Sequence, residues 1–351
     1  MTTKDNTLSV SQFQGQSNIL KAMRGIHVTH TLRAAVKLEL FTLLEKAPLT
    51  GEEIKNLLKL DGRGLYDFLD TLVSMGILNR EGNGKDARYG NTEEVSLFLV
   101  KDSPQYIGWS FEYKIRELEQ CWGELVEALK TGKPQRHDLK STGKDLFDVT
   151  YGSDKKSRSF VEGMNFGQMA SFRDFARKFD FSGYKTLCDV GGANALFSTL
   201  VAKQHQHMKL ITFDLPDLEP FARKKIEESG LSDRVTVVNG NFFKDDFPKA
   251  DIITMGNILH DWNLEEKKQL IAKAYGALPP GGVFVVIESI IDDDRRENTT
   301  GLLMSLNMLL VTEGGFDFTA ADFDSWTGEC GFTGTAYFPL SGNSSAVIAY
   351  K

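Results

Sequence analysis

The chain has 351 residues, room for one to three domains that each bury a core, and its 41% hydrophobic and 25% charged residues are ordinary for a globular protein. A net charge of −7 argues against a nucleic-acid or acidic-membrane partner. Three cysteines, Cys121, Cys188 and Cys330, form no CxxC pair, which suits a reducing cytoplasm and points to no structural metal. Residues 1–10 are polar, so no signal peptide is expected, and no apolar run approaches membrane-spanning length.

From Phe13 to Leu44 the pattern predicts a helix, with Ile19, Met23, Ile26, His27, His30, Ala34, Leu38 and Phe41 near one face. Pro48 stops it, and Thr50 with Glu53 makes a capping box for a helix through Leu58. Leu65, Phe68, Leu69, Leu72 and Val73 recur at helical spacing and predict a buried stripe that ends at Gly76. Ile77 to Arg80, a Gly82-Asn83-Gly84 turn and Arg88-Tyr89 then predict a β-hairpin. Helix, helix, hairpin is winged-helix grammar, so a DNA-binding regulator has to be weighed. Its recognition helix would carry Asp61, Asp67 and Asp70 against Arg63 alone, and phosphate would be repelled. The better reading of residues 1–100 is a winged-helix-like helical module whose long apolar helices bury against a second subunit, giving a homodimer.

Residues 101–180 are expected to be a helical linker rich in aromatics, among them Tyr106, Trp109, Trp122, Tyr151, Phe160, Phe172 and Phe175. Most of these should be core; some are candidates to line a pocket for a flat apolar molecule. Gly132 to Lys144 is polar and reads as a surface loop.

From residue 181 onward strands alternate with helices, which predicts a mostly parallel sheet in an α/β, Rossmann-like domain. Strands are expected at 185–190, 208–213, 234–238, 250–255, 283–288, 335–339 and 345–350, the last two an antiparallel hairpin turning at Gly342-Asn343. Seven strands ending in a hairpin differ from the six-stranded dinucleotide plan. The first strand carries Asp189 and runs into Gly191-Gly192, a sharp turn that opens a helix. G-x-G-x-x-G fails at Ala193 and Leu196, and no Gly-Lys-Ser/Thr follows. The second strand ends in Asp214, placed to grip ribose hydroxyls, with Leu215 beside it. Two acids suit an adenosyl group without phosphates, although the turn alone fits any Rossmann-like ligand site.

Ligands and chemistry sit at strand ends in such sheets. After the third strand come Asn241 and Phe242, whose amide and ring suit the edge and face of an adenine. After the fourth comes Gly256-Asn257-Ile258-Leu259-His260-Asp261-Trp262, and the fifth ends in Glu288. A helix with Met304, Asn307 and Met308 leads to Gly314-Gly315-Phe316-Asp317. His260 alone among six histidines follows a sheet strand. A structural histidine is one reading; an acid that accepts from one ring nitrogen would free the other as a base. No histidine pair has metal-ligand spacing with an acid nearby, so no catalytic metal is expected.

Asp-Val-Gly-Gly (189–192), Phe-Asp-Leu-Pro (213–216), Gly-Asn-Phe-Phe (240–243) and Ile-Leu-His-Asp-Trp (258–262) together resemble the S-adenosylmethionine-dependent small-molecule O-methyltransferases. That family includes plant phenolic, hydroxyindole and bacterial antibiotic-tailoring enzymes, and the resemblance spans nearly the whole chain. It implies a class I methyltransferase sheet behind an N-terminal dimerisation module, with S-adenosyl-L-methionine as cofactor. It places the glycine motif on Gly191 and Gly192, the ribose acid on Asp214 and the adenine pair on Asn241 and Phe242. His260 falls on the catalytic base, Glu288 and Asp317 on the acids that bracket it, and Phe160, Met164 and Met308 on cofactor and substrate walls. Asp189, Leu215 and Asn257 join the expected cofactor set, and Met304 and Asn307 the expected acceptor wall.

Four departures stand out. The family usually has more glycines where this chain has Ala193-Asn194-Ala195, and aspartate where Asn241 stands. Plant members carry lysine at Gly256, and glutamate followed by arginine at Asp317-Phe318. The chemistry agrees with the resemblance: a sulfonium methyl is already electrophilic, so alignment and a base for a phenol of pKa about 10 are what a protein must add. An NAD-dependent oxidoreductase, a non-enzymatic regulator and a carbon-methylating or other cofactor-using relative are the competing readings.

Overall fold

In the computed structural model, which describes residues 18–103, 105–136, 167–342 and 344–351, the helix predicted from Phe13 to Leu44 is two helices. The first runs Asn18–Lys37 and the second Leu40–Leu44, separated by Glu39 in the left-handed region at φ 55°. That break turns Leu40, Phe41 and Leu44 into a core with Ile54, Leu65, Leu69, Leu72 and Tyr89. The first helix, by contrast, buries only Ala35 and Val36 and leaves Ile19, Met23 and Ile26 61–73% exposed. His27 and His30, expected to pack, are exposed on the same helix.

Backbone contacts divide the chain into two units, Met1–Arg116 and Glu117–Lys351. Residues 101–180, read from sequence as one linker, therefore fall on both. In the first unit β1 (Leu49–Thr50), β2 (Leu78–Glu81) and β3 (Arg88–Asn91) form an antiparallel sheet in the order β1-β3-β2. Thr50 and Glu53 cap the Gly51–Leu58 helix reciprocally, as their spacing predicts. Asp70, one of the acids of the would-be recognition helix, is held inside the unit by Arg80 at 2.7 Å and the Tyr89 hydroxyl at 2.9 Å.

The second unit is built on a seven-stranded sheet in the order β6-β5-β4-β7-β8-β10-β9. Its strands are β4 (Thr186–Val190), β5 (Lys209–Asp214), β6 (Val235–Asn239), β7 (Ile252–Gly256), β8 (Val283–Glu288), β9 (Gly334–Pro339) and β10 (Ser345–Tyr350). β4 to β8 are parallel, and β10 inserts antiparallel between β8 and β9. Side chains alternate between two cores. Leu187, Ile252, Val283 and Val285 face Phe172, Phe175 and Phe197, while Cys188, Val190, Phe284 and Val286 face Leu270, Ile271 and Phe323. Burial on both faces is why these strands read as continuous apolar runs.

Strand order reverses between β4 and β7, so the crevice above their carboxyl ends is the natural ligand site. The expected surface loop from Gly132 is partly wrong: Gln135 is buried and donates its backbone N–H to Leu310 at 2.7 Å. The rest of that stretch, residues 137–144, lies outside the described residues. No described helix is long and apolar enough to cross a membrane.

Candidate active site

The turn after β4 is shaped by close approach. A Cβ on Gly191 would lie 2.3 Å from the Ile258 side chain, and one on Gly192 2.3 Å from Thr212 Oγ1 and 2.8 Å from an Asp189 oxygen. Ala193 and Ala195, where the family usually has glycine, take left-handed φ values of 45° and 61°. An L-residue there costs about 1–2 kcal/mol. Ala193→Gly is therefore expected to stabilise the protein and raise Tm by roughly 1–3 °C in calorimetry. Ala195→Gly should give no such gain, because Ala195 is fully buried and its methyl packs in the core.

Asp214, at the end of β5, closes this turn. One carboxylate oxygen accepts from Ala193 N at 2.8 Å and the other from Leu215 N at 2.7 Å. Asp189 accepts from the Thr254 hydroxyl at 2.8 Å. Burial pushes Asp189 up to about 7, against the Thr254 bond, and Asp214 up to about 6, against its two backbone bonds. Thr212 Oγ1 and Asn194 Oδ1 are buried beside them without a protein partner.

The loop after β6 offers a flat wall. Asn241 Oδ1 accepts from Phe243 N at 2.9 Å, so its amide NH2 is the end left for a ligand. The half-buried Phe242 ring stands edge-on to Phe243 and Trp262, at centroid distances of 5.0 and 5.7 Å. Lys273 fixes the loop from beneath by donating to the Phe242 and Asp245 carbonyls, each at 2.6 Å. Asn257 adopts φ 53° and donates its N–H to Ile287 at 3.1 Å. A side chain at Gly256, where plant members carry lysine, would meet the Phe172 ring at 2.5 Å.

His260 sits on a single 3-10 turn, Leu259–Asp261, just past β7, and is buried. Its Nδ1 lies 3.3 Å from Asp317 Oδ1, so aspartate reaches the ring although it is one methylene shorter than glutamate. Nε2 lies 3.7 Å from Asp261 Oδ1, beyond hydrogen-bond range. Glu288 differs from expectation. Its Oε1 accepts from the backbone N–H groups of Ile258, Leu259 and His260 at 3.0, 2.7 and 3.4 Å, so it is hydrogen-bonded to the turn and not to the ring. It is still close: His260, Glu288 and Asp317 each bring one polar side-chain atom within 4.8 Å of the others. Glu288 Oε2 and Asp317 Oδ2 are buried with no hydrogen-bond partner.

Burial alone would lower the His260 pKa, but Asp261, the Asp317 bond and the Glu288 charge outweigh it and raise it to about 10. Burial raises Asp261 to about 6. Gly315 is required here, because a Cβ would sit 2.5 Å from the His260 carbonyl. Ser305 Oγ accepts from Asp317 N at 3.1 Å. Phe318, where plant members have arginine, packs on Phe323 and Trp326 in the core. Ile258 joins the two halves of the site, its side chain against Gly191 and its N–H on Glu288.

On the Thr299–Val311 helix, Met308 is buried and Met304 and Asn307 are half-buried. Trp122 Nε1 donates to Asn307 Oδ1 at 3.4 Å. Phe160 and Met164 lie outside the described residues. Sequence reasoning missed Asp261, Thr254 and the buried Lys267, and named Trp122 only among the linker aromatics. Asp261 was legible as part of His-Asp-Trp; Lys267 had no signal, since it sits in Leu-Glu-Glu-Lys-Lys like a solvent-facing helix residue.

An O-methyltransferase domain model matches residues 122–333, and an O-methyltransferase dimerisation domain model matches residues 20–101. The chain belongs to the S-adenosylmethionine-dependent O-methyltransferase family. Among its relatives is the tetracenomycin polyketide synthesis 8-O-methyltransferase TcmO of Streptomyces glaucescens, 34% identical over 96% of this chain and 97% of that one. Acetylserotonin O-methyltransferase of Bos taurus is 32% identical over 96% and 98%. The structure of human N-acetylserotonin methyltransferase in complex with S-adenosylmethionine superposes with a TM-score of 0.83 at 28% identity, covering 96% of this chain and 99% of that one. As a member of this family the enzyme uses S-adenosylmethionine. The donor set at the turn suits that cofactor, with two carboxylates and buried unpartnered polar atoms to meet ribose hydroxyls.

Proposed function

We propose that this O-methyltransferase methylates a hydroxyl on a small aromatic acceptor, with His260 as general base. The observation that carries the reading is the buried His260 Nδ1–Asp317 Oδ1 pair at 3.3 Å, beside the cofactor turn. Asp214 and the Gly191-Gly192 turn would hold the ribose, Asn241 and Phe242 the adenine, with Asp189, Leu215 and Asn257 completing that wall. Bound S-adenosylmethionine supplies an electrophilic methyl group. His260 Nε2 would take the hydroxyl proton, so that the oxygen could accept the methyl as its bond to sulfur breaks and the neutral thioether leaves, while Asp317 accepts from Nδ1–H and fixes the tautomer. Glu288 sets the backbone of the 258–260 turn, and burial keeps water away. Met304, Asn307 and Met308 form the acceptor wall. Trp122 occupies the Asn307 carbonyl, which leaves its NH2 to meet an acceptor atom on the substrate.

An aromatic hydroxyl agrees with the substrates that name TcmO and the acetylserotonin enzymes. The test is methyl transfer from labelled cofactor to a panel of hydroxylated fused-ring aromatics and N-acetylserotonin, with the matching methyl ethers and amines as controls. Transfer to the amines alone would overturn the hydroxyl reading.

Cofactor affinity should depend on pH through Asp214. The carboxylate, not the acid, accepts both ribose hydroxyls, and Asp214 is raised to about 6. Affinity should fall as pH drops through that value, by up to about tenfold from this group at pH 5. Calorimetry at pH 5 and pH 7.5 checks this, and Asp214→Asn should reduce the dependence to what Asp189, raised to about 7, contributes.

Residues 1–100 are assigned to homodimer formation, because Met23 and Ile26 are left exposed on a helix that falls almost wholly within the dimerisation match. Light scattering should give about twice the 39.2 kDa chain mass, and a monomer at micromolar concentration would refute it.

A further inference from the structure

Lys267 lies on the Leu264–Ala277 helix and has no exposed surface. A buried ammonium is costly unless its charge and donors are met. Here Nζ donates to the Trp262 carbonyl, two residues past His260, and sits 3.5 Å from the centroid of the Phe316 ring, the residue before Asp317. One cation therefore touches both segments that deliver the His260–Asp317 pair. The acids facing it come from every element around it: Asp261 on the 3-10 turn, Glu288 at the end of β8, Asp317 on the loop, and Glu266 on its own helix. His260 is the remaining titratable group of the cluster.

We infer that Lys267 is a positioning residue for the general base, clamping the His260 turn to the Asp317 loop and offsetting the carboxylate field around the imidazole. The inference rests on the reading of His260 as the base. Two geometric facts set it apart from ordinary helix packing. An apolar side chain would fill the same space without bonding Trp262, and no helix requirement demands a charge under the Phe316 ring. Burial lowers the lysine to about 8, so it still carries its charge at neutral pH.

Removing that charge leaves Asp261, Glu288 and Asp317 to act on His260 unopposed, which favours the imidazolium. The test follows His260 directly in 15N-histidine-labelled protein saturated with S-adenosylhomocysteine, its signals identified by their loss in His260→Ala. Lys267→Met should raise the His260 midpoint by roughly half a unit or more. Turnover near pH 7.5 should fall about tenfold or more, with the KM for S-adenosylmethionine within about twofold of wild type. Lys267→Arg keeps the charge and should hold the midpoint and recover part of the turnover. Lys267→Gln keeps a donor for Trp262 without charge and should shift the midpoint as Met does; it serves if the Met variant does not fold.

An unshifted midpoint with wild-type turnover in Lys267→Met or Lys267→Gln overturns the inference. Equal loss of cofactor binding in the Arg, Met and Gln variants also overturns it, by assigning Lys267 to the fold alone. Wild-type turnover in His260→Ala would instead sink the base reading, an outcome separate from the effect of Lys267 on the imidazole.

Discussion

Replacing His260 with alanine should lower turnover by about 10²-fold or more near neutral pH and leave cofactor affinity nearly unchanged. The side chain faces the carboxylate cluster, while Asp214 and the glycine turn hold the other half of the site. The pH profile carries the sharper information. Because the neighbouring acids raise His260, its neutral, proton-accepting form grows as pH rises, and wild-type turnover should keep climbing above neutrality. The deficit of His260→Ala should shrink toward pH 10, where a phenol ionises without help. A pH–rate series on both proteins with one phenolic acceptor measures this. Equal turnover at pH 7 would remove His260 from the mechanism.

Asp214→Ala should produce the opposite pattern: cofactor affinity falls by about 10²-fold or more, while any residual turnover at saturation keeps its pH dependence. Two losses combine. The ribose hydroxyls lose their acceptor, and the backbone N–H groups of Ala193 and Leu215 lose theirs, which loosens the turn itself. Calorimetry with S-adenosylhomocysteine reads the change. Unchanged affinity would move the ribose site away from β5. Together the two variants separate the cofactor half of the site from the proton-transfer half.

The sequence made most of the sheet legible, for a physical reason. Strands buried on both faces are written as short apolar runs, and Val283 to Ile287 needs no tertiary information to be recognised. The seven predicted strands lie within two residues of those found. β7 starts at Ile252 and not at residue 250 because Asp251 turns its side chain back to accept from Lys185 and Thr186. The break at Glu39 was not legible: both sides have helical spacing, and only packing of Phe41 and Leu44 onto the first unit selects the left-handed residue. In the site, the positions of Glu288 and Asp317 could be read from strand and loop ends and Asp317 meets the His260 ring as expected, but the partners of Glu288 could not be read. A carboxylate at the end of β8 can reach a ring or three amides, and the 3-10 turn at Leu259 decides in favour of the amides. Lys267 was invisible because a buried and a solvated lysine are written identically on a charged helix.

The insertion of β10 between β8 and β9 has a consequence for the order in which the protein matures. β8 is synthesised 57 residues before the strand that covers it, counting from Glu288 to its partner Ser345. Until that hairpin arrives, β8 has one open edge along Val-Phe-Val-Val-Ile, a template on which another nascent chain could add a strand. Long-range pairing of this kind is also slow to form. The residue at the mouth of that unfinished edge is Glu288, whose carboxylate orders the His260 turn. Closure of the sheet and ordering of the His260 turn are thus linked, and a chain stalled before residue 345 is expected to be aggregation-prone and poorly active.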